Sequence, residues 1–203
     1  MIMKICIIDY GMGNLHSVNK AFRRLQMEVT VSSDPKDIER ADKLVLPGVG
    51  HFSRGMDNLN KLGLIGVLNY QVIERKKPVL GICLGMQLMT QYSEEGACRG
   101  LAWVPALTKR FPDVGIRIPH IGWNNIEPAS SHPLLHNILP TMRFYFVHSY
   151  YVICDDPTWV GATTKYGIEF HSVVVNDNIM GVQFHPEKSH GDGLHLLENF
   201  LKL

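Results

Sequence analysis

Short apolar runs alternate with stretches of helical periodicity along the first half of the chain. The run KICIID at residues 4–9 is followed by a glycine turn and then by apolar residues at helical spacing, namely Leu15, Val18, Ala21, Phe22 and Leu25. EVTVSS precedes DPKDIERA, and KLVL precedes PGVG and helical stretches at 53–61 and 64–76. Strands separated by helices predict a parallel sheet, with the functional site in the loops at the carboxyl ends of its strands.

After residue 100 the pattern changes to shorter extended stretches. These are GIRIPHIGW, RFYFVHSYYVI, WVGATTKYG, FHSVVV and IMGVQFHP, with turns at Gly167 and at residues 176–178. A final helix should place Leu194, Leu197, Phe200 and Leu201 against the sheet. The pattern predicts one α/β domain over residues 1–203, with a mostly parallel central sheet flanked by helices and a β-rich second half.

Composition narrows the function classes. The 203 residues are 45% hydrophobic and 19% charged with a formal net charge of +1, and no basic run indicates nucleic acid or a membrane surface. The start, MIMKICIID, is too short in apolar residues for a signal segment or a membrane span, so a cytoplasmic location is expected. Four distant cysteines without a C-x-x-C pair predict free thiols rather than disulfides.

The segment PVLGICLGMQL, residues 78–88, begins as a strand and ends as a helix. Cys83 lies at the turn, and Gly81 and Gly85 flank it where a Cβ would collide with a sharp reversal, as in a nucleophile elbow. Backbone N–H groups at the helix start favour a thiolate and can hold an oxyanion. A small buried hydrophobe is the alternative role for this cysteine, and a base elsewhere in the chain would decide between them.

A base is available in VQFHPEKS, residues 182–189. Pro186 ends a strand, and residues i and i+2 of an extended segment point the same way, so Glu187 should orient His185. The other imidazole nitrogen could then take a proton from a thiol. A surface histidine near an exposed glutamate is the alternative, but pairing with Cys83 at a neighbouring strand end favours catalysis.

Two further patterns do not indicate a functional site. YGMGNL has G-x-G between a strand and a helix, but it lacks the third glycine and the acidic residue of a dinucleotide site, so a tight turn is favoured. The ten histidines form no H-E-x-x-H motif, and His190 and His195 lack carboxylates arranged for zinc. Neither a metal ion nor another cofactor is expected.

LPGVGHF, GICLGMQL and GVQFHPEKS, in this order, resemble the motifs of class I (triad) glutamine amidotransferases. The resemblance implies a flavodoxin-like fold and a Cys83, His185 and Glu187 triad that hydrolyses L-glutamine to glutamate and ammonia. It further implies oxyanion donors at the N–H groups of Val49 and Leu84. Glutamine would be bound by four further residues: Gly50, Gln87, Ser149 and Tyr150.

IDYGMGNL, PHIGWN, RFYFVHSYY and ATTKYG more closely resemble the glutaminase subunits of imidazole glycerol phosphate synthases. This implies a heterodimer with a (β/α)8 cyclase in histidine biosynthesis, with Trp123, Tyr145 and Lys188 at the interface. EKSHGDG departs from the more usual E-K-S-G, which keeps open a related glutaminase that supplies ammonia to a surface-glycan sugar amidotransferase. An inactive regulatory subunit ranks lower, because all three triad members are present.

Overall fold

A computed structural model describes residues 3–203 of the chain. Met1 and Ile2, which belong to the segment considered above for a signal, lie outside the described residues. The elements of the first half are β1 (Lys4–Ile8), α1 (Leu15–Arg24), β2 (Glu28–Ser32), α2 (Pro35–Arg40), β3 (Lys43–Leu46), α3 (Phe52–Lys61), α4 (Leu64–Asn69), β4 (Val79–Ile82) and α5 (Leu84–Leu88). A π-helical turn, Tyr70–Glu74, extends α4.

The second half is mostly strands. Its elements are β5 (Tyr92–Ser93), β6 (Cys98–Arg99), β7 (Ala106–Arg110), β8 (His120–Asn124), β9 (Glu127–Pro128), β10 (Phe144–His148), β11 (Tyr150–Cys154), β12 (Val160–Tyr166), β13 (Ile168–Asn176), β14 (Ile179–Val182) and α6 (His190–Leu201). Short 3₁₀ turns lie at Pro133–Leu135, Pro157–Trp159 and Pro186–Lys188.

The main sheet combines a parallel part and an antiparallel part. Strands β2, β1, β3, β4 and β14 are parallel neighbours in that order, and β13, β11 and β7 continue the sheet with antiparallel pairing. Strands β8 and β10 form a separate antiparallel pair. The predicted α/β fold, with a parallel centre and a β-rich second half, is confirmed.

The buried side chains of β1 point alternately to the two faces of the sheet, which explains why helices pack on both faces. Ile5 and Ile7 belong to one hydrophobic cluster, which includes residues of α1 and α6. Cys6 and Ile8 belong to a second cluster, which includes residues of α2, α3 and α4. Because successive strand side chains point to opposite faces, each face of the sheet receives its own helices.

Two predicted elements are shorter than the periodicity suggested. The helix after Cys83 ends at Leu88 instead of reaching Gln91, whose N–H donates to the Ala106 carbonyl at 2.9 Å. The stretch RFYFVHSYYVI divides at Ser149, since β10 pairs with β8 while β11 pairs with β7 and β13. In both cases pairing with distant strands overrides the local pattern.

Among the helices in residues 3–203, none is both long and apolar enough to cross a membrane. The cytoplasmic location stays a prediction. Cys6, Cys83, Cys98 and Cys154 are free thiols.

Candidate active site

Cys83 lies at the bend between β4 and α5 with φ 53° and ψ −108°. This conformation is costly for a residue with a Cβ, and such strain is typical of functional turns. Its N–H donates to the Val182 carbonyl at 2.8 Å, which ties the bend to β14. A Cβ at Gly81 would lie 2.8 Å from the Met86 nitrogen, and one at Gly85 would overlap the Leu46 carbonyl. The predicted need for both glycines is confirmed.

The Cys83 side chain is mostly buried but adjoins open space. The residue is 6% exposed and contributes to the wall of a cavity of about 460 Å³. Its Sγ lies 4.0 Å from the Val147 carbonyl oxygen and 3.7 Å from Nε2 of Gln183. A cysteine that only filled the core would have no such access to a cavity of small-molecule size.

His185 and Glu187 form a close buried pair three residues beyond β14. Nδ1 of His185 lies 2.7 Å from Oε1 of Glu187, and each side chain is 2% exposed. The predicted contact is therefore confirmed, but the extended backbone behind it is wrong at residues 186–188. Pro186 instead begins a 3₁₀ turn, and Ser189 closes it by donating its hydroxyl hydrogen to the His185 carbonyl at 2.6 Å.

The charges around His185 favour its protonated form. Burial by itself would lower the pKa of this imidazole, but the attraction of the nearby Cys83 sulfur and then the hydrogen bond and charge of Glu187 raise it to about 10. Nε2 of His185 has no hydrogen-bond partner among the described residues. Nδ1 of the imidazolium is bonded to Glu187, so Nε2 is the nitrogen that can hold a proton ready for transfer.

All six residues predicted for oxyanion and substrate binding line one cavity, whereas His185 and Glu187 are not among its lining residues. Its wall contains the predicted residues Val49, Gly50, Cys83, Leu84, Gln87, Ser149, Tyr150 and Lys188. Gln87 donates from Nε2 to the Tyr150 carbonyl at 3.0 Å, which fixes the α5 side chain against β11. Sequence reasoning missed four lining residues: Glu95, Pro119, Val147 and His148.

Glu95 reaches the cavity from the turn between β5 and β6. Its Oε2 accepts the N–H of Phe52 at 2.8 Å, at the first residue of α3. It is the sole carboxylate among the residues that line the cavity. No local motif marks this glutamate, because its position depends on the packing of a short hairpin against α3.

His148, at the cavity wall, forms a buried pair with His120. Its Nδ1 lies 2.8 Å from the Tyr150 carbonyl, and its Nε2 lies 3.1 Å from Nδ1 of His120. Burial lowers the pKa of His148 to about 3 and that of His120 to about 4, so both are neutral near pH 7. A carbonyl oxygen can only accept, so Nδ1 of His148 donates to Tyr150. Nε2 of His148 therefore accepts a hydrogen bond from Nδ1 of His120.

The three residues predicted at a partner interface lie together near the cavity. Trp123 on β8 pairs with Tyr145 on β10, with ring centroids 5.8 Å apart. Nζ of Lys188 is 5.8 Å from the centre of the Tyr145 ring, and His190 stacks on Trp123 at 5.1 Å. Trp123 is 40% exposed, so its ring is not part of the hydrophobic core.

Possible metal ligands are scattered. Within the part of the chain that the structure describes, no group of three His, Cys, Asp or Glu side chains could hold a metal ion.

A strained cysteine elbow on the wall of a cavity, together with a buried histidine–glutamate pair that interacts with the cysteine, defines a class of thiol-dependent amide-cleaving sites. The family model described as glutamine amidotransferase class-I matches residues 6–203. The chain belongs to the class I glutamine amidotransferase family and is an enzyme.

Within this family, close relatives carry one particular description. The chain is 50% identical over 199 residues to imidazole glycerol phosphate synthase subunit HisH 2 of Methanococcus maripaludis, with 98% of each chain covered. It is 46% identical over 200 residues to the protein of the same description from Pseudomonas aeruginosa, covering 98% of this chain and 99% of that one.

A solved structure supports the fold. The crystal structure of a glutamine amidotransferase from Thermotoga maritima has a TM-score of 0.69 at 17% identity, covering 100% of this chain and 84% of that chain.

Proposed function

We propose that this chain is the glutaminase subunit of an imidazole glycerol phosphate synthase. It hydrolyses L-glutamine to L-glutamate and delivers ammonia to a (β/α)8 cyclase in histidine biosynthesis. The observation that carries the chemistry is the strained Cys83 elbow beside the buried pair of His185 and Glu187. The pathway is supported by the descriptions of relatives at 46–50% identity over nearly the whole chain.

The first half-reaction forms a thioester. Thiolate Cys83 adds to the amide carbon of glutamine, and the developing oxyanion is held by the N–H groups of Leu84 and Val49. The imidazolium of His185 gives its proton to the amide nitrogen, the C–N bond breaks and ammonia leaves. Glu187 keeps the imidazole in the orientation that this transfer requires.

The second half-reaction restores the enzyme. Neutral His185 takes a proton from water, and the resulting hydroxide adds to the thioester carbon. The C–S bond then breaks, Cys83 leaves as a thiolate and glutamate is released. No redox change and no further reactant are involved.

The remaining cavity residues fit an amino-acid substrate. Gln87 and the backbone of Gly50, Ser149 and Tyr150 supply polar groups around the cavity. Glu95 has one carboxylate oxygen bonded to Phe52, and the other is available to meet the α-ammonium group of glutamine. A carboxylate opposite an ammonium group forms a strong charge-assisted hydrogen bond.

Ammonia chemistry requires a partner that seals the site. Free ammonia is mostly protonated near pH 7, so release into water would remove the nucleophile that the synthase needs. Lys188 lies at the cavity wall and contacts Tyr145, which neighbours the exposed Trp123. These three residues form the proposed docking face for the cyclase.

The proposal is tested by combining the chain with the cyclase subunit from the same genome. We expect imidazole glycerol phosphate to form with glutamine as the nitrogen source, and hydrolysis of glutamine to be faster in the complex than in the isolated chain. Product formation with ammonium salts but never with glutamine would contradict the proposal.

The departure from the usual motif in EKSHGDG leaves the surface-glycan partner as an alternative to the cyclase. His190 stands in this departure from the usual motif and stacks on Trp123 of the proposed docking face. If the sugar amidotransferase of a surface-glycan pathway, and not the cyclase, stimulates glutamine hydrolysis, the alternative partner is correct. Absence of hydrolysis with either partner would instead indicate a regulatory subunit.

A further inference from the structure

We infer that Gln183 is a further catalytic residue, whose side-chain amide donates a hydrogen bond to the Cys83 sulfur and stabilises its thiolate. The inference rests on the proposed function, since it takes Cys83 as the nucleophile. Gln183 follows β14 directly and is completely buried. Its Nε2 lies 3.7 Å from Cys83 Sγ, within reach of an N–H···S hydrogen bond.

The orientation of the Gln183 amide follows from its neighbours. The Tyr150 carbonyl can only accept, so the atom of Gln87 that lies 3.0 Å from it must be the amide nitrogen. The second hydrogen of that nitrogen is directed at Oε1 of Gln183, 3.1 Å away. With its oxygen committed to Gln87, Gln183 must present its own NH₂ group to the sulfur.

The carbonyl that sets this order is itself held in place. Nδ1 of the buried, neutral His148 donates to the same Tyr150 oxygen at 2.8 Å. A continuous series of donors therefore runs from His148 and Gln87 through Gln183 to Cys83. None of these side chains needs to move to turn the amide toward the sulfur, so the donor is preorganised.

A fixed amide donor suits the charge changes at sulfur. The sulfur is negative before it attacks glutamine and negative again when it leaves the thioester, but it is neutral in the thioester itself. A donor aimed at the sulfur therefore favours both the formation of the nucleophile and its expulsion. His185 transfers a proton, whereas the Gln183 amide does not titrate and acts only as a donor.

Hydrogen bonding to the charged form of a group favours that form. Loss of the donor should therefore disfavour the thiolate form of Cys83. Gln183→Met removes the donor at similar volume. Gln183→Glu keeps an oxygen acceptor for Gln87 but places a carboxylate beside the sulfur, so it should disfavour the Cys83 thiolate further.

The test is the pH dependence of Cys83 alkylation by iodoacetamide in the full chain, followed by mass spectrometry of the peptide that contains Cys83. We expect the midpoint to rise by about one unit or more in Gln183→Met and by more in Gln183→Glu. The kcat/KM of partner-stimulated glutaminase should fall about tenfold or more. Gln71→Met, at a buried glutamine remote from the cavity, is the matched control and should leave both quantities unchanged.

Thermal melting of each variant separates a local effect from loss of the fold. Folded Gln183→Met and Gln183→Glu variants with the alkylation midpoint of the parent would overturn the role of Gln183. That result is distinct from failure of the proposed function, which would appear as glutamine use by a Cys83→Ser complex. An unchanged midpoint together with an inactive Cys83→Ser complex would reject Gln183 alone.

Discussion

Replacement of Glu187 by glutamine tests how the buried carboxylate supports His185. In the parent, Oε1 of Glu187 accepts from Nδ1 of His185 at 2.7 Å, while Oε2 has no hydrogen-bond partner among residues 3–203. A glutamine can keep its oxygen at the first position and place its NH₂ group at the second. Glu187→Gln therefore removes the charge while it preserves the orientation of the imidazole.

The magnitude follows from the difference between two hydrogen bonds. A bond that involves charged groups contributes about 1.5–3 kcal/mol, and a neutral one contributes about 1 kcal/mol. The difference is about 1–2 kcal/mol, and one pKa unit corresponds to about 1.4 kcal/mol. The pKa of His185, which is about 10 in the parent, should fall by about one unit, and kcat/KM should fall about tenfold.

The assay is the pH profile of partner-stimulated glutaminase. The rate of glutamate release should begin to decline at a lower alkaline pH in Glu187→Gln than in the parent, because the His185 imidazolium gives up its proton more readily. The Cys83→Ala variant, which lacks the nucleophile, is the reference for complete loss. An alkaline limb and a kcat/KM equal to those of the parent would refute the assigned role of Glu187.

Three further predictions concern the elbow, the docking face and the buried histidines. Gly85→Ala should lower the free energy of unfolding in urea by about 2–3 kcal/mol or more, because the new Cβ overlaps the Leu46 carbonyl; the parent value would refute this. Trp123→Ala should weaken cyclase binding in calorimetry about thirtyfold, and Lys188→Ala should weaken it less, with unchanged melting curves; parent affinities in both would remove this face from the proposal. Because the pKa of His148 is lowered to about 3, its stabilising effect is complete above pH 6.5 and is lost as pH falls toward 3. Between pH 7.5 and 5.0, the lowered pKa of His148 should reduce the parent's free energy of unfolding by about 2 kcal/mol. The free energy of unfolding of His148→Gln should therefore fall less over this range. Equal pH dependence in the parent and the variant would contradict the assignment of a neutral His148.

The sequence was informative wherever chemistry and local geometry coincide in one short segment. The elbow could be predicted because Gly81 and Gly85 bracket Cys83, and the histidine–glutamate contact because Pro186 joins two nearby residues. The backbone of that contact was predicted incorrectly, since a 3₁₀ turn and an extended strand can both bring His185 to Glu187. Two residues apart is too short a distance to distinguish them by spacing alone.

Residues placed by long-range packing could not be predicted in this way. Glu95 and His148 reach the cavity through a short hairpin and through pairing between distant strands, and neither lies in a segment that marks its role. Gln183 differs, since the sequence pattern predicts an extended segment in which it lies two residues before His185. The i, i+2 rule that suggested Glu187 would also have directed Gln183 toward the site.

Cys83 is proposed to perform the nitrogen-releasing step on this chain. The most direct measurement compares product formation by the parent and Cys83→Ala complexes with the cyclase, once with glutamine and once with ammonium salts. We expect Cys83→Ala to lose glutamine-dependent activity by a factor of about 10³ or more and to keep the ammonium-dependent activity of the parent. Glutamine use by the Cys83→Ala complex near the parent rate would contradict it.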